Sequence, residues 1–423
     1  MEKHNKSGNV SFQEAPIRTI KELWDATIKY HSDGIFDTAA MNEVDGRLDP
    51  KISYQDLTNV FSAVYANTYW NGLKLDVSIL SKSLQSALAL NPEQANIYAT
   101  TALKQWRGMF SRNNMTDTGT IPKLGGITQS PDIVCNNDTE IPLDNLIKNW
   151  NSPYWSTPKV GKNYVYVRSQ SLSFRGLQQP NVRMFYSTAG FNQPPTSWIQ
   201  LLTVDGGAKE GRLKPQDGDL GSPFKESTRG CSEAFFFEPK SADHVCIIGV
   251  IGAEFFENRL AVDDGNWNSN VWIRNNGAAV WHNVDPQTSS VERLKFYNQD
   301  SSEELFSFVL KCRNVPKGYT VELKHEGKDL IFGTRPIQIV DGNEIIGTRV
   351  TLPGNYSGDL EILIAGENGE LLPENASVTC EMIWKVNDQH KNYLDAVYMH
   401  GTIAHLAENR HVSVSLGEFT FHG

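Results

Sequence analysis

The sequence predicts a multidomain α+β chain, a small N-terminal helical bundle followed by two β-sandwich domains. Three observations carry this. The chain has 423 residues, more than one ordinary core holds, since domains usually run on the order of 100–200 residues. Apolar residues recur every three to four positions before Arg112, and beyond Ser130 that period falls to two. Residues 1–15 read as a flexible tail, 16–112 as the helical domain and 113–129 as a linker. Residues 130–285 read as the first sandwich and 286–423 as the second.

The helices follow from spacing and caps. Ile17, Ile20, Trp24 and Ile28 share a face, and Asp33-Gly34 ends the run. Ser53 precedes Leu57, Val60, Phe61, Val64 and Tyr65. Asp76 is placed to cap Val77, Leu80, Leu84 and Leu88. Asn91-Pro92, a capping residue followed by proline at the first helical position, opens a helix carrying Tyr98, Leu103, Trp106 and Phe110. Four amphipathic helices suit a small bundle. The stretch after them, rich in Gly, Ser, Thr, Asn and Pro, reads as a linker or a long ordered connection.

Strands are predicted over Asp132–Cys135, Asn163–Gln170, Val182–Ser187, Ala234–Glu238 and Val245–Gly252, with Val271–Arg274 as another. In the alternating run from Asn163, Tyr164, Tyr166 and Arg168 share one face and Val165 and Val167 the other, as in a half-buried strand whose valines meet an opposing sheet. A second set comes later: Phe306–Cys312, Tyr319–Lys324, Ile337–Val340, Ile345–Leu352, Asp359–Ile364, Val378–Trp384 and Val412–Phe421. Turns such as Asp341-Gly342-Asn343 separate them. Short strands without intervening helices argue for sandwiches.

Composition narrows the function. The formal charge of -10 and the lack of any Lys/Arg-rich run disfavour binding to nucleic acid or anionic lipid. The N-terminus is polar, without the apolar core of a signal peptide, and the longest apolar run, Val245–Ala253, is too short for a membrane helix. A cytoplasmic protein, or one secreted without a cleaved signal, is expected. The five cysteines (Cys135, Cys231, Cys246, Cys312, Cys380) are odd in number and widely spaced, so buried reduced thiols are expected instead of a disulfide framework or a zinc site.

Motifs for catalysis are sparse. Neither a G-x-S-x-G elbow nor a phosphate-cradling glycine loop occurs. Ser222 and Cys231 each follow a glycine but have no local base. Asp263-Asp264-Gly265-Asn266-Trp267-Asn268 places oxygens at Asp264, Asn266 and Asn268 in the alternation that can ring Ca²⁺, although it lacks the glycine and glutamate of an EF-hand loop; a polar turn is the expected reading. Asp217-Gly218-Asp219 is read the same way. His390, His400, His405 and His411 are too loosely spaced for a zinc motif. Trp150, Trp155 and Trp267 lie among amides and acids, a composition that can stack on sugars and bond their hydroxyls, or plug the end of a sandwich. These three, with Asp263 and Asp264, are the candidate ligand-binding residues. No cofactor is expected. Neither an apolar span nor a long amphipathic hairpin of the kind pores need is evident.

Ser130-Pro131-Asp132-Ile133-Val134, Asn163-Tyr164-Val165-Tyr166-Val167-Arg168 and Val182-Arg183-Met184-Phe185-Tyr186-Ser187 occur in that order, with Trp198 and Asp243-His244-Val245-Cys246 after them. Over roughly residues 130–285 this resembles an immunoglobulin-like sandwich module of bacterial secreted and host-directed proteins. The resemblance implies a fold and no catalytic residues. The whole layout is similar to accessory proteins of gene clusters encoding α-helical pore-forming toxins of the motility-associated killing factor type, which implies a role in virulence with toxin components as partners. The expected function is a non-enzymatic binding or assembly protein. A carbohydrate-binding protein and an enzyme with a site built from distant residues are the alternatives, and perforation of membranes by the chain itself is a fourth.

Overall fold

The computed structural model describes residues 81–82, 85, 90–93, 95–96, 106, 108–153, 155–172, 180–188, 190–239, 245–253, 258, 260, 268–284, 291–393, 396 and 411–422. Most of the predicted helical domain, 16–112, lies outside these residues. The chain divides into two compact units, 1–64 with 76–103, and 65–75 with 104–423. In the first, the Asn91 carbonyl accepts from Ala95 N–H at 3.0 Å, a helical turn at the predicted Asn91-Pro92 start. The second unit holds the three sheets.

Strands dominate this second unit. They are β1 (Ile133–Asn137), β2 (Asn163–Ser171), β3 (Asn181–Thr188), β4 (Gly190–Phe191), β5 (Gly211–Pro215), β6 (Arg229–Ser232), β7 (Phe235–Phe237), β8 (Val245–Gly252) and β9 (Ala279–Val284). Then come β10 (Val291–Tyr297), β11 (Glu304–Arg313), β12 (Thr320–Glu326), β13 (Ile331–Gly333), β14 (Ile345–Leu352), β15 (Ser357–Ala365), β16 (Ser377–Asn387) and β17 (His411–His422). Two short helices are α1 (Leu143–Lys148) and α2 (Ser269–Arg274).

The largest sheet runs β9-β8-β3-β5-β6-β2-β7, with Leu202–Thr203 beyond β7 and with β1 and Met109–Phe110 also on β2. A six-stranded sheet runs β13-β12-β15-β10-β4 with Ile337–Gln338 also on β12, and a four-stranded one runs β14-β11-β16-β17. β4 comes from the first predicted sandwich, yet it pairs in parallel with β10 of the second. One apolar core accordingly runs through both stretches. Phe191 packs edge-on against Phe419 at 5.2 Å, Phe296 against Phe308 at 5.2 Å and Trp198 against Trp281 at 5.6 Å. Each such ring stabilises by about 1.5–3 kcal/mol through burial.

β2 is buried on both faces, not half-buried as its alternation suggests. The valine side meets β8 as expected: a Cβ added at Gly249 would come within 2.6 Å of Val167. The tyrosine side is covered by α1 and the segment before it, where the Tyr166 hydroxyl accepts from Ile141 N–H at 2.8 Å and Leu146 and Ile147 complete a small cluster. Alternation reports two different faces, but not whether each is covered.

A second correction concerns Val271–Arg274, which is helical. Asn268 Oδ1 accepts from the amides of Asn270 and Val271 at 3.0 and 3.1 Å, a helix N-cap that outweighs the strand preference of Val-Trp-Ile. Trp272 and Ile273 are buried all the same. The predicted strand Ile337–Val340 is shortened to Ile337–Gln338. Residues 113–129 are an ordered connection, with Ile121, Lys123, Ile127 and Thr128 buried. All five cysteines are buried, and none is in a disulfide.

Candidate functional site

Of the residues expected to bind sugar, Trp150 and Trp155 are among the described residues and stand in different surroundings. Trp150 is buried, 4% exposed, in a charge cluster. The Arg112 guanidinium lies 4.1 Å over its ring, with Arg229 at 5.3 Å and Arg168 at 5.9 Å. Beneath them, Asp132 on the β1 approach accepts from Arg112 Nη2 at 2.6 Å and Nε at 3.0 Å, and lies 3.4 Å from Arg168 Nε. Carbonyls absorb the remaining donors: Arg168 reaches those of Pro131, Asn149 and Ser152. Trp150 is a cation–π platform within this cluster, which leaves no open ring face for a sugar. Trp155 is half-buried and stacks on His282 at 4.0 Å. Burial pulls the His282 imidazole down to about 4, against the opposing effect of its bond to the Ser130 carbonyl. Asp263, Asp264, Asn266 and Trp267 lie outside the described residues, and the Asn268 oxygen is spent on capping α2.

The other singled-out groups are in structural use. Burial pushes the Cys231 thiol up to about 12, which makes it a poor nucleophile. Ser222 Oγ accepts from Asp219 N–H in an exposed turn. His390 bonds Asp300 at 3.0 Å and lies 3.6 Å from Glu304, which in turn accepts from Trp384 Nε1. His400 and His405 fall outside the described residues, and His411 is exposed. Among the described residues no group of three or more His, Cys, Asp or Glu is placed to hold a metal.

The most developed site lies on the six-stranded sheet, an open cleft of about 600 Å³. Its inner wall is His325 of β12, 4% exposed. Nδ1 is 2.7 Å from the Asp359 carbonyl and Nε2 is 2.8 Å from the Tyr356 hydroxyl. A carbonyl only accepts, so Nδ1 carries a proton and donates it to the Asp359 carbonyl, with Nε2 turned to the phenol. Burial, with the charge of Asp329, raises the Tyr356 phenol above its usual value and keeps it a neutral donor. Two glycines make room: a Cβ at Gly327 would sit 2.5 Å from Nε2 and one at Gly358 2.6 Å from Cε1. Phe296 and Phe332 close the rear at 5.0 and 5.1 Å.

The rim is charged and paired. Arg293 meets Glu361 at 2.7 Å and Lys295 meets Asp359 at 3.1 Å across β10 and β15. The Arg293 hydrogen bond is the largest influence holding the Glu361 carboxyl below its ordinary value. Exposed pairs of this kind contribute about 0–1 kcal/mol each, so their significance is the pattern they present. Sequence reasoning missed this site because its residues come from three strands; the only local trace is the glycine beside each partner.

No protein-family model matches the chain, and no curated protein matches it. Among solved structures, the BspA C-terminal domain of the Streptococcus agalactiae AgI/II polypeptide aligns at 5% identity and TM-score 0.15, covering 69% of this chain and 99% of that one. Another structure of wild-type BspA C aligns at 6% identity and TM-score 0.18, with the same coverage. CfaE, the adhesive subunit of CFA/I fimbria of enterotoxigenic Escherichia coli, aligns at 7% identity and TM-score 0.15, covering 75% of this chain and 93% of that one. Likeness at this level carries no functional argument. No helix among the described residues is long and apolar enough to cross a membrane.

Proposed function

We propose that this chain is a non-enzymatic binding protein that recognises a partner protein through the cleft on its six-stranded sheet. The carrying observation is the cleft itself, a rim of paired charges from adjacent strands over a His325–Tyr356 pair whose tautomer the backbone sets. Charged rims that alternate in sign give orientation and specificity more than affinity. His325 has both nitrogens committed, one to a carbonyl and one to a phenol, and so is poorly placed to carry protons for turnover. A role beside a toxin or secretion system rests on the sequence resemblance alone, and so does the finer immunoglobulin-like assignment of residues 130–285.

The test is co-purification from native cells with the full chain and with Glu361→Lys, which reverses one rim charge. A specific partner should be retained by the wild type and lost by the variant, while far-UV circular dichroism stays unchanged. A partner held equally by both would remove this cleft from the interface. Turnover of a screened ester, phosphoester or glycoside, abolished by a single substitution, would remove the non-enzymatic reading.

A further inference from the structure

A glycine loop and a strand pair face each other across a second open cleft of about 520 Å³. One wall is Leu124-Gly125-Gly126, all exposed. The carbonyls of Lys123 and Gly125 accept from Arg274 Nη1 at 2.9 Å each, and those of Leu124 and Gly126 from Asn113 Nδ2 at 2.8 Å each. Four successive carbonyls are therefore engaged on the inner side. The amides of Leu124, Gly125 and Gly126 have no acceptor among the described residues. Gly125 has φ of 71°, the left-handed conformation found in backbone anion nests. Beneath the loop are two buried cations met by neutral oxygens: Arg274 by carbonyls and the Asn270 amide, Lys123 by the carbonyls of Ser111 and Ala279. This wall is positive. Thr128, 5% exposed, also lines the cleft, with its hydroxyl oxygen sealed from solvent.

The opposite wall is negative. Glu381 of β16 and Glu418 of β17 stand directly opposite each other in the register, an arrangement that destabilises a strand pair unless a cation intervenes. Lys311 pairs with Glu381 at 2.6 Å. The Glu418 carboxylate makes no direct hydrogen bond or ion pair among the described residues, although its charge also acts on Lys311. Ile383, half-buried, lines the cleft with them.

A lone anion would meet Glu418 here, and a lone cation would meet the field of Arg274. A ligand carrying both charges complements both walls. We propose that the cleft captures the carboxyl-terminal residue of a partner polypeptide ending in lysine or arginine. The terminal carboxylate accepts from the loop amides, the cationic head pairs with Glu418, and the aliphatic stem lies along Ile383 and Leu124. This site is separate from the His325 cleft and stands or falls independently of it.

The experiment is calorimetric titration of the full chain with three peptides: acetyl-Gly-Gly-Lys with a free carboxylate, its carboxyl-terminal amide, and acetyl-Gly-Gly-norleucine with a free carboxylate. The first should bind, and each of the others should bind at least about tenfold more weakly, since each lacks one charge-assisted contact. Glu418→Gln should abolish the advantage of lysine over norleucine. Equal affinity for all three peptides, or no binding of the lysine peptide at millimolar concentration, overturns the proposal. The wild-type series decides the matter even if a variant fails to fold.

Discussion

Two groups of buried cations in this molecule are satisfied in opposite ways. Arg112 and Arg168 converge on the carboxylate of Asp132, whose side chain is 0% exposed. Lys123 and Arg274 are as deeply buried but, among the described residues, hydrogen-bond to carbonyls and an amide oxygen. The carboxylate cancels charge and couples three segments strongly. Carbonyl ligation supplies geometry without cancelling charge, and desolvation shows in titration there, as it also does for Arg168 beside Asp132. Burial pulls Lys123 down to about 8, with Asp117 and Asp132 acting against it, and pulls Arg274 down to about 10. Arg274 still has an organising role. Its guanidinium ties the 123–125 loop to the Ser415 carbonyl on β17, and with the Asn283 amide on the Glu418 carbonyl it covers that sheet edge. The uncancelled pair is the one beside an open cleft, where its field remains available to a ligand.

The contrast makes graded predictions. The largest effect belongs to Asp132→Asn, which leaves two arginines without their counter-charge and should cost about 3–5 kcal/mol in denaturant unfolding. A loss below about 1 kcal/mol would show that the carbonyls alone suffice and that the two groups are equivalent. Next is Lys123→Met, judged by its pH dependence. With the folded pKa at about 8 and the ordinary value at 10.5, the unfolded chain holds more protons between those values. Stability of the wild type relative to the variant therefore rises with pH through that window, by a total of about 3 kcal/mol, and shows no relative slope below it. Parallel curves would mean that Lys123 is not desolvated as its burial implies.

His282 gives a smaller effect at the acid end. Its folded pKa of about 4 lies below the ordinary 6.5, so the unfolded state again binds more protons in between. Wild-type stability falls as the pH drops from 6.5 to 4, by about 2 kcal/mol once partial exposure is discounted. His282→Asn preserves a donor toward the Ser130 carbonyl and should flatten that slope. The smallest effect is at the rim of the first cleft. Glu361→Gln removes an exposed pair with Arg293 and should change stability by less than about 1 kcal/mol. A larger loss there would erase the distinction between buried and exposed charge.

Local pattern was a good guide to strands and a poor one to their surroundings. Ile345–Leu352 and Val245–Gly252 have the limits read from the sequence, and Val412–Phe421 differs by one residue at each end. Where a capping side chain competes with β-propensity, as Asn268 does before Val271, the two signals conflict over a few residues and the cap prevails. Trp150 looked like a binding residue because its sequence neighbours are polar, but the arginines that cover it come from β2, β6 and residue 112.

From the amino-acid order alone came the β-rich class of the second half, most strand positions, the buried thiols outside any disulfide and the acidic balance. All of these depend on composition or on neighbours a few residues apart. Three-dimensional packing settled that both faces of β2 are covered, that Lys123 and Arg274 sit in the interior, and that His325 meets Tyr356 beside a cleft. A period of two separates the sides of a strand without naming what lies against either. Long-range pairing, such as Arg112 with Asp132 or Arg274 with Ser415, leaves no trace in local spacing because chain closure, not sequence adjacency, brings the partners together.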